Sequence, residues 1–430
     1  MTGPRIYNLF PLLAGPVTRW REHLDRIARM RFDWIYLNPI QYPGFSGSLY
    51  AVKDPYAYHP ALAEGIRGAE SDPRGAAPEV ERHLQAFLRE AEGRGIRVLL
   101  DLVVNHTAKD AGLVEEHPEW YMREPDGSIR SPFAIDPADA RRITVWGDLA
   151  ELNYEDPAAR AGLVDRWSRF IEHALRLGFA GFRCDAAYKV PAEAWSELIA
   201  AGRAVRPDAL FCAETLGCRL EEVSAVAAAG FDYLFNSSKW WDFRAPWALE
   251  QYASHRRIAP SISFPETHDT PRLAEEVQGR PEILRQRYLF AAAFATGVMA
   301  PIGFEYGARR ELNVVRTRPA DREPVVTDLT EFIAAVNELK ASSPVLNEEG
   351  PLELLGQDGP IVRLRKGSER EAAPAALWIH TGNGEAPAPV EEAERALDAS
   401  RERLRAFSSA ARELAAPLEP YEMRVVQTAP

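Results

Sequence analysis

The sequence predicts an α/β protein: a (β/α)8 barrel of the TIM type, with a small subdomain inserted after its third strand and a C-terminal antiparallel β-sandwich domain. Three observations predict it. Eight short runs rich in β-branched and aromatic residues alternate with longer helical patterns as far as about residue 340. A connection rich in Pro, Asp and Gly follows the third run and is far longer than an ordinary βα loop. After Ser342, Ser343 and Pro344 the pattern changes to short strand-like pieces. The expected units are therefore a barrel over 1–343, its insertion over about 107–148, and a terminal domain over 344–430.

In chain order, the expected barrel strands are 5–9, 34–37, 97–104, 181–184, 210–213, 233–235, 261–263 and 298–302. Helices are expected between them at 17–30, 77–92, 157–177, 192–204 and 280–294, where apolar residues recur near helical spacing. Gly93 and Gly178 stand where helix stops belong. Eight strands with intervening helices suit a closed barrel better than an open sheet. Beyond residue 344 the expected strands are 352–355, 361–364, 376–379 and 423–427, with the Pro/Glu-rich stretch 384–393 expected as a mobile surface loop.

Composition excludes several classes of function. The 430 residues carry a net charge of −12, and 46% of them are hydrophobic, which excludes a disordered chain. The acidic balance argues against a nucleic-acid partner, which would need a basic face. No apolar run reaches the roughly 18 residues that a membrane span needs; the longest, 288–300, is too short. Prolines interrupt the apolar residues of 1–16, and no signal peptide is expected. Three cysteines, Cys184, Cys212 and Cys218, cannot complete a disulfide framework, and without a Cys-x-x-Cys pair no zinc site is expected. A soluble, cytoplasmic protein without a membrane partner is the expectation.

Polar residues gather at the C-terminal ends of the expected strands, the end at which such barrels build their sites. The third strand ends in Asp101-Leu102-Val103-Val104-Asn105-His106, and the fourth in Gly181-Phe182-Arg183-Cys184-Asp185-Ala186-Ala187-Tyr188-Lys189. The fifth ends in Phe211-Cys212-Ala213-Glu214-Thr215, and the seventh leads into Phe264-Pro265-Glu266-Thr267-His268-Asp269. Three carboxylates thus face one mouth. Arg183 lies two residues before Asp185 on the same strand, points the same way, and would keep Asp185 ionised.

In this order and spacing, the four segments resemble the signature regions of the α-amylase family of glycoside hydrolases and transglycosylases. Leu149-Ala150-Glu151-Leu152-Asn153 and Gly297-Val298-Met299-Ala300-Pro301-Ile302-Gly303-Phe304-Glu305 are similar to two further family motifs. The resemblance implies a retaining cleavage of α-1,4-glucosidic bonds. Such a reaction needs a nucleophilic carboxylate and a protonated carboxylic acid about 5–5.5 Å apart. By position, Asp185 resembles the nucleophile, Glu214 the acid/base and Asp269 the carboxylate that stabilises the oxocarbenium-like state. Glu214 must then be held partly protonated in a drier site.

The same resemblance makes His106 and His268 donors to the hydroxyls of the sugar at the cleavage point, with Tyr50 stacking under that sugar. Arg272, in His268-Asp269-Thr270-Pro271-Arg272, resembles the arginine of the exo-acting α-glucosidase branch and implies a closed, short-substrate pocket. Trp240, Trp241 and Trp247 stand together after the sixth strand, as outer sugar platforms or as packing. Asn105 matches a common calcium position, but the insertion offers no Asp/Asn set to complete the shell, so calcium stays open and no metal residue is assigned.

The chain also departs from the family pattern. Hydrolytic amylases carry Lys-His three and four residues after the nucleophile; here Tyr188-Lys189 stands there, so the family's aglycone contact does not carry over, and Lys189 is taken as a candidate substrate-binding residue. His117-Pro118-Glu119-Trp120-Tyr121 and Leu152-Asn153-Tyr154-Glu155-Asp156-Pro157 resemble the maltosyltransferases that use maltose 1-phosphate to extend α-1,4-glucan. That branch has Asn directly after its nucleophile, to help hold the phosphate, and lacks the histidine that is His268 here; this chain has Ala186. Both differences favour a hydrolase or a glucan-to-glucan transferase over maltosyl transfer from phosphate. An α-glucan or maltooligosaccharide is the expected partner. A catalytically silent glucan-binding or partner-binding module is the reading from another class.

Overall fold

The computed structural model describes residues 3–136, 139–357 and 359–429, so residues 137 and 138 of the expected insertion lie outside the described residues. Eight parallel strands close into a barrel: β1 (Arg5–Asn8), β2 (Trp34–Leu37), β3 (Arg97–Leu102), β4 (Gly181–Cys184), β5 (Leu210–Ala213), β6 (Tyr233–Phe235), β7 (Ser261–Ser263) and β8 (Gly297–Pro301), the last pairing with β1. Alternate residues point inward, and Ile6, Trp34, Tyr36, Leu99, Cys212, Ile262 and Met299 fill the interior as one buried cluster.

Some boundaries differ from expectation for local reasons. Strand β3 stops at Leu102 rather than 104: its ladder ends where Asp185 N donates to the Leu102 carbonyl at 3.0 Å, and the chain then turns away. Residues 17–23 form a 3₁₀ helix and only Leu24–Arg29 is α-helical; the β-branched Val17 and Thr18 open the segment, and Trp20 turns back to donate to the Gly15 carbonyl at 2.7 Å. Helix Pro73–Glu92 starts four residues before the expected 77, because Asp72 caps it by accepting from Gly75 N at 2.9 Å.

The long connection after β3 opens with His106–Ala108, which pairs antiparallel with Leu149–Glu151. Between these strands lie the short helix Gly112–Glu116 and a hairpin built from Phe133–Asp136 and Asp139–Val145. Helix Pro157–Leu177 then returns the chain to the barrel, capped by Asp156 on Ala159 N at 2.8 Å and ended by Gly178 at φ 119°, a value that favours glycine.

The C-terminal region corrects the expected sandwich. Among the described residues it holds one five-stranded antiparallel sheet of β9 (Leu352–Gly356), β10 (Ile361–Lys366), β11 (Ala375–His380), β12 (Leu404–Ser408) and β13 (Met423–Thr428), in the order β9-β10-β11-β13-β12. No second sheet is needed, because both faces are already covered. Val362, Leu364, Leu377, Ile379 and Val425 join the barrel's own hydrophobic core. On the other face, Ala376, Trp378 and Val426 pack with Ala393 and Leu397 of helix Val390–Leu397. That helix begins inside 384–393, so the expected surface loop is in part an ordered layer.

Two buried lysines join the units. Lys340 Nζ donates to the carbonyls of Ala292, Ala295 and Leu346 at 2.7–2.8 Å, and Lys366 Nζ to those of Ala293 and Phe294 at 3.0 and 3.1 Å. Both lysine nitrogens thereby satisfy carbonyls at the C-terminal end of helix Pro281–Phe294, which carry partial negative charge. Among the described residues, no helix is long and apolar enough to cross a membrane.

Candidate active site

The barrel register brings the acidic residues together. Arg183 on β4 pairs with Asp101 on β3 and Cys212 on β5, so Arg183 and Asp101 are inward-facing neighbours. Asp185, two residues further, keeps the inward direction. Glu214 N donates to the Cys184 carbonyl at 3.0 Å, extending the β4–β5 ladder by one step and setting Glu214 beside Asp185 at the rim.

The side chains form one network. Arg183 Nη1 donates to Asp101 Oδ1 and Oδ2 at 3.0 and 2.9 Å and to Asp185 Oδ1 at 2.7 Å. Asn105 Nδ2 donates to Asp185 Oδ2 at 3.2 Å and to the Asp185 carbonyl at 3.0 Å. Glu214 accepts from Leu216 N on Oε1 at 2.9 Å and from Ala186 N on Oε2 at 3.0 Å. Burial is the main force on Glu214 and pushes its pKa from 4.5 up to about 7; nearby Asp185 adds to the rise and Arg183 opposes it. Asp269 differs. Desolvation acts to raise its pKa, but His268, whose Nε2 lies 2.9 Å from Asp269 Oδ2, and Arg183 outweigh that and hold it below the usual carboxylate value.

These groups open into a cavity of about 510 Å³ lined by Tyr50, Asn105, His106, Arg183, Asp185, Lys189, Glu214 and Asp269. Eight of the nine expected site residues are thus at or beside it; seven line it directly, and His268 stands just behind, its Nε2 at 2.6 Å from the Tyr50 hydroxyl. His106 lines the wall with both ring nitrogens engaged by protein, Nε2 at 3.1 Å from the Tyr50 carbonyl and Nδ1 against Asn105 Oδ1. Lys189 holds its ammonium over the rings of Phe133 and Tyr188 at 5.2 and 5.5 Å.

Arg272 is placed elsewhere. It is 1% exposed, donates to Glu266 Oε1 at 2.7 Å and to the Ile302 and Arg310 carbonyls, and does not line this cavity. The structure thus places Arg272 in a buried ion pair with Glu266 inside the loop after β7, with its carbonyl bonds tying that loop to the loop after β8, and does not bring it to the expected cavity. The tryptophans divide in the same way. Trp240 is half exposed at the mouth, whereas Trp241 is buried among Phe243, Phe290 and Phe294 and Trp247 packs against the core.

Sequence reading gave no role to Asp101, Tyr36, Asn38 or Trp146. Asp101 is buried and accepts from the Tyr36 and Tyr50 hydroxyls at 2.5 and 2.7 Å, besides Arg183. Asn38 donates to the Tyr50 hydroxyl at 2.9 Å, and Trp146, from the insertion, lines the cavity. One signal for Asp101 was available: it is a lone charge in the apolar run Val98-Leu99-Leu100-Asp101-Leu102, opposite Arg183. Among the described residues, no group of three or more His, Cys, Asp or Glu could hold a metal ion. Asn105 turns its amide to Asp185 and His106, so the donor set around it does not fit a calcium shell.

The family model described as glycogen debranching enzyme, glucanotransferase domain, matches residues 5–126. The chain is 31% identical over 376 residues to an alpha-1,4-glucan:maltose-1-phosphate maltosyltransferase of Burkholderia pseudomallei, covering 85% of this chain and 31% of that protein. It is 28% identical over 370 residues to the protein of the same name from Salinibacter ruber, covering 79% and 53%. The chain therefore spans only a third to a half of the length of these curated relatives. An α-amylase structure from Lactobacillus plantarum superimposes with a TM-score of 0.69 at 20% identity, over 99% of this chain and 98% of that one, and so shares the fold. The chain is thus related in sequence to the maltosyltransferases, and its barrel is the fold of the α-amylase structure.

Proposed function

We propose that this chain is a retaining enzyme that cleaves α-1,4-glucosidic bonds through a glycosyl intermediate on Asp185. The observation that carries the reading is the division of labour among three carboxyl groups at one cavity. Asp185 is bound by Arg183 and Asn105, Glu214 is held near half protonation at neutral pH, and Asp269 is held ionised beside His268. Asp185 attacks the anomeric carbon as the bond to the leaving oxygen breaks, and Glu214 gives that oxygen its proton. Glu214 then takes a proton from water or from a sugar hydroxyl, whose oxygen displaces Asp185. Asp269 and Arg183 stabilise the charge that develops on the ring and on the nucleophile.

Incubation with maltoheptaose tests the reading. Glucose or maltose indicates hydrolysis, longer chains indicate transfer, and an unchanged substrate across a broad α-glucan panel overturns it. A second reading, maltosyl transfer from maltose 1-phosphate, is favoured by the names of the relatives. Its support in the site is Lys189, a cation at the cavity wall. Release of phosphate from maltose 1-phosphate in the presence of glycogen decides for it, and no release decides against it.

A further inference from the structure

The peptide group between Asp185 and Ala186 touches both carboxyl groups of the proposed mechanism. Its carbonyl accepts from Asn105 Nδ2, which also binds Asp185 Oδ2, and its N–H points to Glu214 Oε2 at 3.0 Å. The orientation comes from Ala186, which sits at φ 39° and ψ 49°, in the left-handed region that a residue with a Cβ seldom occupies. Hydrogen bonds fix the turn on both sides: Asp185 N donates to the Leu102 carbonyl at 3.0 Å and Lys189 N to the Ala186 carbonyl at 2.8 Å. A right-handed Ala186 would rotate the plane and take the N–H off Glu214. The strand ladder sets the Glu214 backbone beside Asp185, and the other donor to its carboxyl, Leu216 N, comes from the loop after its own strand, so it is the Ala186 bond that orients the Glu214 carboxyl toward the Asp185 strand.

We propose that Ala186 is a positioning residue, whose strained backbone sets the orientation and the proton affinity of Glu214. The inference rests on the reading of Glu214 as the acid/base. The N–H stabilises the charged carboxylate, so its loss raises the pKa of Glu214. The other groups facing Glu214 are Arg183, Asp185 and Tyr188 from β4 and its following turn, Cys218 from the loop after β5, and Asp269 from the loop after β7. All of them are unaltered in the variants below.

The test is the series Ala186→Gly, Ala186→Asn and Ala186→Thr. Asn and Thr have similar volume and polarity, but Asn tolerates the left-handed region and the β-branched Thr does not. The pKa of Glu214 is read without substrate, by carbon-13 NMR of labelled glutamate carboxyls with Glu214→Gln as the assignment control, and again as the alkaline limb of kcat/KM on maltoheptaose. The parent, Gly and Asn forms are expected to share a value near 7, with Thr about one unit higher. A Thr value equal to the parent's, or an Asn value that moves with Thr, overturns the proposal. Should the Thr variant not fold, Ala186→Gly decides: relief of the left-handed strain puts its thermal midpoint at or above the parent's, and a lower midpoint overturns the proposal. A parent inactive both on every glucan and on maltose 1-phosphate with glycogen, with the Thr shift present, overturns the acid/base reading alone and leaves the backbone effect on Glu214 standing.

Discussion

Replacing Glu214 by Gln tests whether burial sets its proton affinity. The folded chain holds this carboxyl at about 7 against 4.5 for the free group, a shift of roughly 2.5 units, or about 3 kcal/mol. The sign follows from proton binding. Below about pH 4.5 both states are protonated and the group contributes nothing. Between about 4.5 and 7 the unfolded chain has released its proton while the native state still binds one, so stability falls as pH rises; above 7 the whole penalty is present. Gln has no such titration. It also has only one acceptor oxygen for the two donors Ala186 N and Leu216 N, a pH-independent loss of about 1–3 kcal/mol.

The absolute stability of the variant is therefore less informative than its pH dependence relative to the parent. From about pH 4 to about pH 8.5, the variant gains up to about 3 kcal/mol on the parent. That figure is a ceiling, since the carboxyl still meets the water of the cavity. Urea midpoints followed by circular dichroism across this range, for both proteins, give the difference curve. Two parallel curves would refute the argument that burial sets the state of Glu214.

Further outcomes follow from the same contacts. Asp185→Asn is expected to lower kcat/KM on maltoheptaose by more than ~10³-fold while circular dichroism is unchanged; a loss below tenfold would remove Asp185 from the chemistry. Arg272→Leu strands Glu266 in the interior and is expected to cost about 3–5 kcal/mol in urea, with KM nearly unchanged; parental stability with a raised KM would instead return Arg272 to the substrate. Lys366 titrates at about 8 when folded against 10.5 when free, so the folded state sheds this proton first and the lysine's contribution to stability grows as pH rises through that window. Lys366→Met is accordingly expected to be more destabilising at about pH 10 than at pH 7, and equal costs at both would contradict the assignment.

Much of the architecture was legible because its signals are local. Eight short apolar strands, the helix stop at Gly178 and the over-long connection after β3 each follow from a few adjacent residues, and all eight strands were found. The terminal domain was not legible as a single sheet. The run 375–380 is apolar on both faces, whereas 361–366 carries Arg363 and Arg365 on one of its faces, and neither pattern says that one face meets the barrel core and the other a helix. The start of helix Pro73–Glu92 was missed because its Pro-containing first turns read as loop until the Asp72 cap is seen.

By itself, the sequence determined which residue types stand at the C-terminal ends of the strands, and hence that Asp185, Glu214 and Asp269 could share one mouth. Tertiary structure alone decided what each is worth chemically. Glu214 is a weak acid because of what buries it, and Asp269 a strong one because His268 lies against it. Arg272, two residues from Thr270 on the cavity wall, is held by Glu266 instead of by solvent or sugar. The physical reason is one of range: strand and helix patterns are fixed by neighbours along the chain, whereas proton affinity and access depend on groups that only closure of the barrel brings within a few ångströms.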